Sequence, residues 1–222
     1  MNRVVVITGA NRGIGLALAE QYQMQGDKVI AVCRQSSQAL AKLAGVTIIE
    51  NVDVVSDQDL LTLAKALTGI DVDLLINNAG ILSEEFLGDI DFDAVERQFR
   101  VNAIGPLKAT EALLNNLHSG AKVVLVTSRM GSLGDNGSGG HYGYRMSKSA
   151  LNSAAVSLAV DLKPKGIAVA LLHPGFVQTA LVNNQGNVSA DQAAEMLIQR
   201  IDALNIETTG SFTHANGEAL PW

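Results

Sequence analysis

Tyr144 and Lys148 stand four residues apart in Gly143-Tyr-Arg-Met-Ser-Lys148, a spacing that puts both side chains on one side of a helix. A phenol beside an ammonium is a proton donor. Tyrosine ordinarily loses its proton near pH ~10, and a neighbouring positive charge favours the phenolate, bringing the group towards the range useful for acid catalysis. The same spacing also suits a solvated helix surface, and by itself it does not separate the two readings. The rest of the chain decides.

To act, such a pair must be held against a ligand. Short apolar, β-rich runs at 4–8, 28–32, 46–49, 73–76, 122–127 and 167–172 alternate with helix-compatible stretches at about 13–25, 36–44, 56–69, 91–117, 143–162 and 189–203. Strands that are apolar throughout are buried on both faces, so the alternation predicts a doubly wound α/β fold of the Rossmann type, a parallel sheet with helices on both sides. With 222 residues, 47% of them hydrophobic and 17% charged, the chain suits one core, and 1–222 reads as a single domain. The Gly/Ser-rich stretch 131–140 reads as a loop rather than a linker. A net charge of -6 without any basic run argues against nucleic acid, whose phosphates demand clustered Lys and Arg. Cys33 is the single cysteine, so no internal disulfide forms and a reducing compartment fits. No segment approaches the roughly 20 apolar residues of a membrane span, and the apolar run near the N-terminus is short for a secretion signal. A soluble cytoplasmic protein is expected. No histidine, cysteine and carboxylate grouping has zinc spacing, so no metal is expected.

In open α/β sheets the ligand lies beyond the carboxyl ends of the strands. After the first run comes Thr8-Gly-Ala-Asn-Arg-Gly-Ile-Gly15, in which Gly9, Gly13 and Gly15 allow close backbone approach and lead into a helix. It reads either as an ordinary tight turn or as a pyrophosphate site at a helix N-terminus, and the flanking strand and helix favour the second. The second run ends at Cys33-Arg34, where NAD-binding chains place an acid on the ribose 2′-hydroxyl. No acid follows that run. Arg34 is instead suited to a 2′-phosphate, with Arg12 on the same side, which favours NADP(H) and leaves NAD(H) possible; the other reading is a plain surface arginine. Asp53-Val54, after the third run, either bonds the adenine edge or, through Asp53, caps the helix near residue 56.

The glycine turn, Asn77-Asn-Ala-Gly80 after the fourth run, Ser128 after the fifth, Tyr144-x-x-x-Lys148 and Pro174-Gly175 after the sixth together resemble the short-chain dehydrogenase/reductase family. The resemblance covers nearly the whole chain. Within the family it is most similar to the small carbonyl-reductase branch containing the C-factor and sniffer proteins, through Ser128-Arg-Met-Gly-Ser132, His173-Pro-Gly175 and Leu220-Pro-Trp222. The resemblance implies that Tyr144 protonates a carbonyl oxygen as hydride arrives from the nicotinamide, that Ser128 orients the same oxygen, and that Lys148 tunes Tyr144 and binds the nicotinamide ribose. It implies that Asn102 holds a water linking Lys148 to solvent; the alternative for Asn102 is a helix-bending polar residue, since Gly105 and Pro106 already disturb that helix. Cofactor contacts are implied for Gly9, Asn11, Arg12, Gly13, Ile14, Gly15, Arg34, Asp53, Val54, Asn78, Ala79, Gly80, Pro174, Gly175, Val177 and Thr179, besides Tyr144 and Lys148. The cofactor contacts fall mainly in 1–120, and catalysis and substrate binding mainly in 121–222.

His141, His173, Tyr142 and Ser132 lie near these motifs and are weaker candidates. Tyr142 has Met146 four residues on, which cannot tune an acid, and Ser132 is farther from the strand end than Ser128. The segment 176–189 is short and polar for a substrate lid, predicting an open pocket for varied carbonyl or alcohol substrates. The long helices near 91–117 and 143–162 suggest a homodimer, with a tetramer as the larger alternative. The leading function is an NADP-dependent carbonyl reductase or alcohol dehydrogenase. A nicotinamide-binding sensor with little turnover is the alternative, and a nucleotide-sugar epimerase or dehydratase is disfavoured by chain length.

Overall fold

The first strand, β1 (Val4–Thr8), alternates its side chains between two hydrophobic layers: Val5 and Ile7 enter one core and Val6 the other. A computed structural model, describing residues 2–222, shows the same double burial in the central strands of the sheet. β1 pairs in parallel with β2 (Lys28–Val32) and with β4 (Val72–Asn77). β2 also takes β3 (Thr47–Ile49), while β4 is followed by β5 (Leu117–Val126), β6 (Ala168–His173) and β7 (Ser211–His214). The seven strands run β3-β2-β1-β4-β5-β6-β7, all parallel. The order reverses between β1 and β4, which is where such sheets open a crevice for ligand.

Helices α1 (Gly13–Met24) and α7 (Ala190–Ala203) cover one face, burying Leu18, Leu197 and Ile201 against Ile7 and Ile76. On the other face α3 (Asp57–Ala66), α5 (Gly105–Ala112) and α6 (Tyr142–Leu162) bury Leu63, Ala109 and Leu151 against Val6, Leu75 and Val123.

Four expectations are corrected. The helix expected over 36–44 contracts to α2 (Gln38–Ala41), because only Leu40 of it reaches the core. The long helix expected over 91–117 breaks into α4 (Phe92–Phe99), a π-helical turn over Arg100–Ile104, α5 and a short 3-10 turn, Leu114–Asn116. Strand β5 starts five residues earlier than the apolar run, across a register shift opposite β4. Strand β7 was not anticipated, since in Ser-Phe-Thr-His only Phe212 is buried, and an edge strand needs no continuous apolar pattern.

Candidate active site

Four strand ends and the start of α6 converge beside the β1/β4 crevice. Thr8 Oγ1 accepts the N–H groups of Asn78 (3.1 Å) and Ala79 (3.2 Å), and Asn78 Nδ2 donates to the carbonyls of Thr8 (3.0 Å) and Gly9 (3.2 Å). The Asn78 side chain is thus committed to stitching the turn after β4 onto the glycine turn. Gly9 has φ +66°, and a Cβ there would come within 2.8 Å of Ala79 Cα; a Cβ on Gly15 would press on the Gly9 carbonyl and the Asn78 amide. These glycines serve this packing directly.

The start of α1 fits a phosphate. Its N-cap Arg12 is extended and supplies no side-chain bond, and the first turn, which includes Ile14, carries no acid. By contrast Ser56, Asp91 and Ser189 cap α3, α4 and α7. Unpaired N–H groups at a helix start are anion donors. Thr179, from the loop after β6, leans over this turn: a Cβ on Gly13 would lie 3.2 Å from Thr179 Cγ2.

At the far end Arg12 and Arg34 are exposed, and among the described residues neither enters an ion pair. Asn11 Nδ2 donates to Gln35 O at 2.9 Å. An acid does reach this edge, contrary to the reading of β2 alone: Glu50, following β3, accepts the Ser36 N–H. The α3 cap belongs to Ser56, whose Oγ accepts from Asp59 N at 3.2 Å, and not to Asp53. Asp53 instead closes its own turn, Oδ1 accepting from Val55 N at 3.1 Å, while Ser56 stands immediately before the helix in the N-cap position. Val54 is buried, and a Cβ on Gly105 would meet its Cγ2 at 2.8 Å, so the glycine lets α5 seat on that side chain.

Ser128, extended at the end of β5, accepts Met130 N at 3.1 Å and closes a tight turn. Tyr144 occupies the first turn of α6 and is almost wholly buried. Burial pushes its phenol up to about 12, against a smaller downward pull from the adjoining Ser128 hydroxyl. Lys148, 4% exposed, has its Nζ 5.7 Å from the Tyr144 ring centre and donating to Val126 O at 2.9 Å; burial brings it down to about 8. Asn102, turned inward by the π turn, accepts Ile81 N (2.8 Å) and donates to Ile81 O (2.8 Å) and Ser147 Oγ (3.0 Å), while Ser147 Oγ donates to Tyr144 O (2.8 Å). Gly80 leaves open space between them: a Cβ there would lie 3.3 Å from Asn102 Oδ1 and 3.8 Å from Lys148 Nζ.

Several supporting residues escaped the sequence reading. Thr127 Oγ1 donates to Asn152 Oδ1 (2.6 Å), and Asn152 Nδ2 and Ser149 Oγ both donate to Gly131 O (3.3 and 2.9 Å), fixing the turn after β5 against α6. Ser147 and Asn152 share the buried side of α6 with Tyr144, and helical spacing was the signal for both. His173 is pushed down to about 3 by burial, then by His214, Arg129 and Lys148; it stays neutral, edge-on to His214 at 4.8 Å, its Nδ1 unpartnered. Ser132 donates to Trp222 O and accepts from Asp135 N, which gives it a loop-holding place. Pro174 and Val177 are buried, and Val177 bridges to Val188, folding 176–189 into a compact loop beside Thr179.

The family described as short chain dehydrogenase matches residues 3–190. This chain belongs to that family. It is an oxidoreductase using a nicotinamide dinucleotide to interconvert carbonyl and alcohol. It is 41% identical to 1-hydroxy-2-glutathionyl-2-methyl-3-butene dehydrogenase of Rhodococcus sp. (strain AD45), over 98% of this chain and 99% of that one. It is 46% identical to the C-signal protein of Myxococcus xanthus over 68% of this chain and 93% of that protein. Among solved structures the carbonyl reductase Sniffer of D. melanogaster superposes with a TM-score of 0.90 at 28% identity, each chain covered completely. The NADPH-bound carbonyl reductase from chicken fatty liver gives 0.90 at 25% identity, covering 100% of this chain and 99% of that one. Among the described residues no helix is long and apolar enough to cross a membrane.

Proposed function

We propose that the protein is an NADPH-preferring carbonyl reductase in which Tyr144 gives a proton to the substrate oxygen. The carrying observation is the placement of Tyr144 and Lys148 in the first turns of α6 next to Ser128 at the end of β5, with the phenol buried and, pushed up to about 12 by that burial, holding the proton that reduction consumes. Ser128, beside it, bonds the same oxygen and stabilises developing charge. The cofactor supplies the hydride. The uncapped start of α1 at Gly13 to Gly15, with Asn11, receives its pyrophosphate; Arg34 and Arg12 take the 2′-phosphate; Asp53 and Val54 border the adenine; the backbone of 78–80 lines the nicotinamide ribose; and Pro174, Gly175, Val177 and Thr179 close over the carboxamide. Lys148 leaves Val126 O to bind the ribose hydroxyls, and its lowered proton affinity suits it to resupply Tyr144. Asn102 holds the backbone at Ile81 and borders the water path to Lys148.

The 1–120 portion is read as mainly cofactor-binding and 121–222 as mainly catalytic, within one domain. A homodimer is supported by apolar side chains left exposed on these helices, Phe99 on α4, Leu107 on α5, and Met146 and Val160 on α6. Sedimentation equilibrium tests it. The single buried thiol of Cys33 accords with a cytoplasmic location. A sensor without turnover is not favoured, because Asn102, Ser128, Tyr144 and Lys148 are assembled together.

The test is NADPH oxidation, followed by its near-ultraviolet absorbance, across aldehydes, ketones, diketones and quinones, with Tyr144→Phe beside the wild type. Turnover abolished in the variant with NADPH binding retained supports the proposal; an unchanged rate refutes the assignment of the acid.

A further inference from the structure

The loop after β4 carries a carboxylate that the site so far does not use. Glu85 is 1% exposed, and among the described residues it has no cationic partner. Its Oε2 accepts the Gly143 N–H at 3.1 Å, its Oε1 accepts from Gln98 Nε2, and its carbonyl accepts the His141 N–H at 2.9 Å. Gln98, fully buried in α4, accepts Ser83 N at 2.9 Å with its own oxygen. Gly143 is glycine because a Cβ there would come within 2.9 Å of Val95 Cα and press on the Gln98 amide.

Burying an ionised carboxylate is costly unless its oxygens are fully hydrogen-bonded, and easier means of starting a helix exist. Helices α3, α4 and α7 are capped by their own Ser56, Asp91 and Ser189. α6 has no side-chain cap: His141 precedes it at φ +50° and the acceptor arrives from 58 residues away. The residue gripped, Gly143, immediately precedes Tyr144. On the other side Gln98 lies just before the π turn that carries Asn102, whose amide reaches Tyr144 O through Ser147. The clamp therefore ties the first turn of α6, from which Tyr144 projects, to the end of α4, which leads into the π turn carrying Asn102.

We propose that Glu85 and Gln98 are positioning residues for the reaction, setting the height of the Tyr144 phenol against Ser128. The proposal rests on Tyr144 as the proton donor. Misplacement of a reacting group by about 1 Å costs on the order of 100-fold in rate, and among the described residues no other side chain accepts a backbone N–H from Tyr142, Gly143 or Tyr144 at the start of α6.

Three variants test it, with kcat and KM for the fastest carbonyl of the panel, NADPH affinity by fluorescence, and thermal unfolding. Glu85→Asp keeps the charge but shortens the reach; Glu85→Gln cannot accept both bonds. In the double exchange E85Q with Q98E, the amide at position 85 offers its oxygen to Gly143 N–H and its NH2 to the carboxylate at position 98, whose other oxygen takes Ser83 N–H. All bonds return. Expected are kcat losses of about 10- to 100-fold in the single variants, with KM and NADPH affinity within about threefold of wild type, and recovery to within about threefold in the exchange. An unchanged kcat in either folded single variant overturns the proposal, as do losses shared equally by kcat and NADPH affinity, or a folded exchange variant with no recovery. If Glu85→Gln does not fold, Glu85→Asp and the exchange decide. Tyr144→Phe runs in parallel: activity there removes the proton-donor reading itself, whereas its inactivity with a fully active Glu85→Asp removes only the clamp.

Discussion

Replacing Lys148 by methionine should destroy activity and raise stability, and the rise should vanish in alkali. Lys148 is buried beneath Tyr144, and burial lowers it from 10.5 to about 8. At 1.36 kcal/mol per pKa unit, holding its charge in the folded protein costs about 3 kcal/mol as an upper limit. Methionine fills similar volume but abandons the bond to Val126 O, a loss of about 1 kcal/mol. The net gain near pH 7 is about 2 kcal/mol, or ~4–8 °C in Tm for a chain of this size. The sign follows from linkage. The folded value lies below the unfolded one, so the unfolded state binds more protons between about 8 and 10.5, and wild-type stability recovers as pH rises through that window. The difference between variant and wild type is therefore full below pH 8 and close to zero by pH ~10. Thermal unfolding followed by circular dichroism at a series of pH values, without cofactor, measures it. A variant no more stable than wild type at pH 7, or a difference that does not change with pH, refutes the assignment of a strained buried ammonium.

Three further outcomes are expected. Arg34→Ala should weaken NADPH by about tenfold, the value of one charge-assisted bond, while leaving NADH nearly unchanged in fluorescence titrations; equal losses for both would remove the case for NADP. Glu50→Gln, at the Ser36 N–H, should strengthen NADPH binding by roughly fivefold at low salt, with the gain fading at high salt, and no effect on NADPH alone would place the carboxylate away from the phosphate. Asn102→Ala orphans the N–H and carbonyl of Ile81, so chemical denaturation should show a loss of about 2–4 kcal/mol; a loss under 1 kcal/mol would mean that water substitutes for the amide.

Periodicity made six of the seven described strands legible, because central strands buried on both faces must be apolar throughout and edge strand β3 still packs Ile48 and Ile49 partly onto the two cores, and glycines with Tyr144 and Lys148 marked the strand ends and the helix that matter. Composition carried no such information for β7, an edge strand with one buried residue, nor for the π turn, where a local change of winding leaves the apolar pattern intact. Asp53 shows the limit of local reading: Ser56, three residues on, is also a residue type that caps helices, and only backbone geometry chose between them.

By itself the sequence determined the alternation of the first six strands with helices, the glycine turn and the placing of Tyr144 and Lys148 on one side of a helix, since burial and helical spacing depend on near neighbours. Only the tertiary structure decided that Asn78 spends its amide on the glycine turn, that Glu50 reaches Ser36 at the edge of β2, that Lys148 donates to Val126 O, and that Glu85 holds the start of α6. Each is a hydrogen bond between segments far apart in the chain. Its existence depends on where two backbones pass each other, and neither segment's composition encodes that distance.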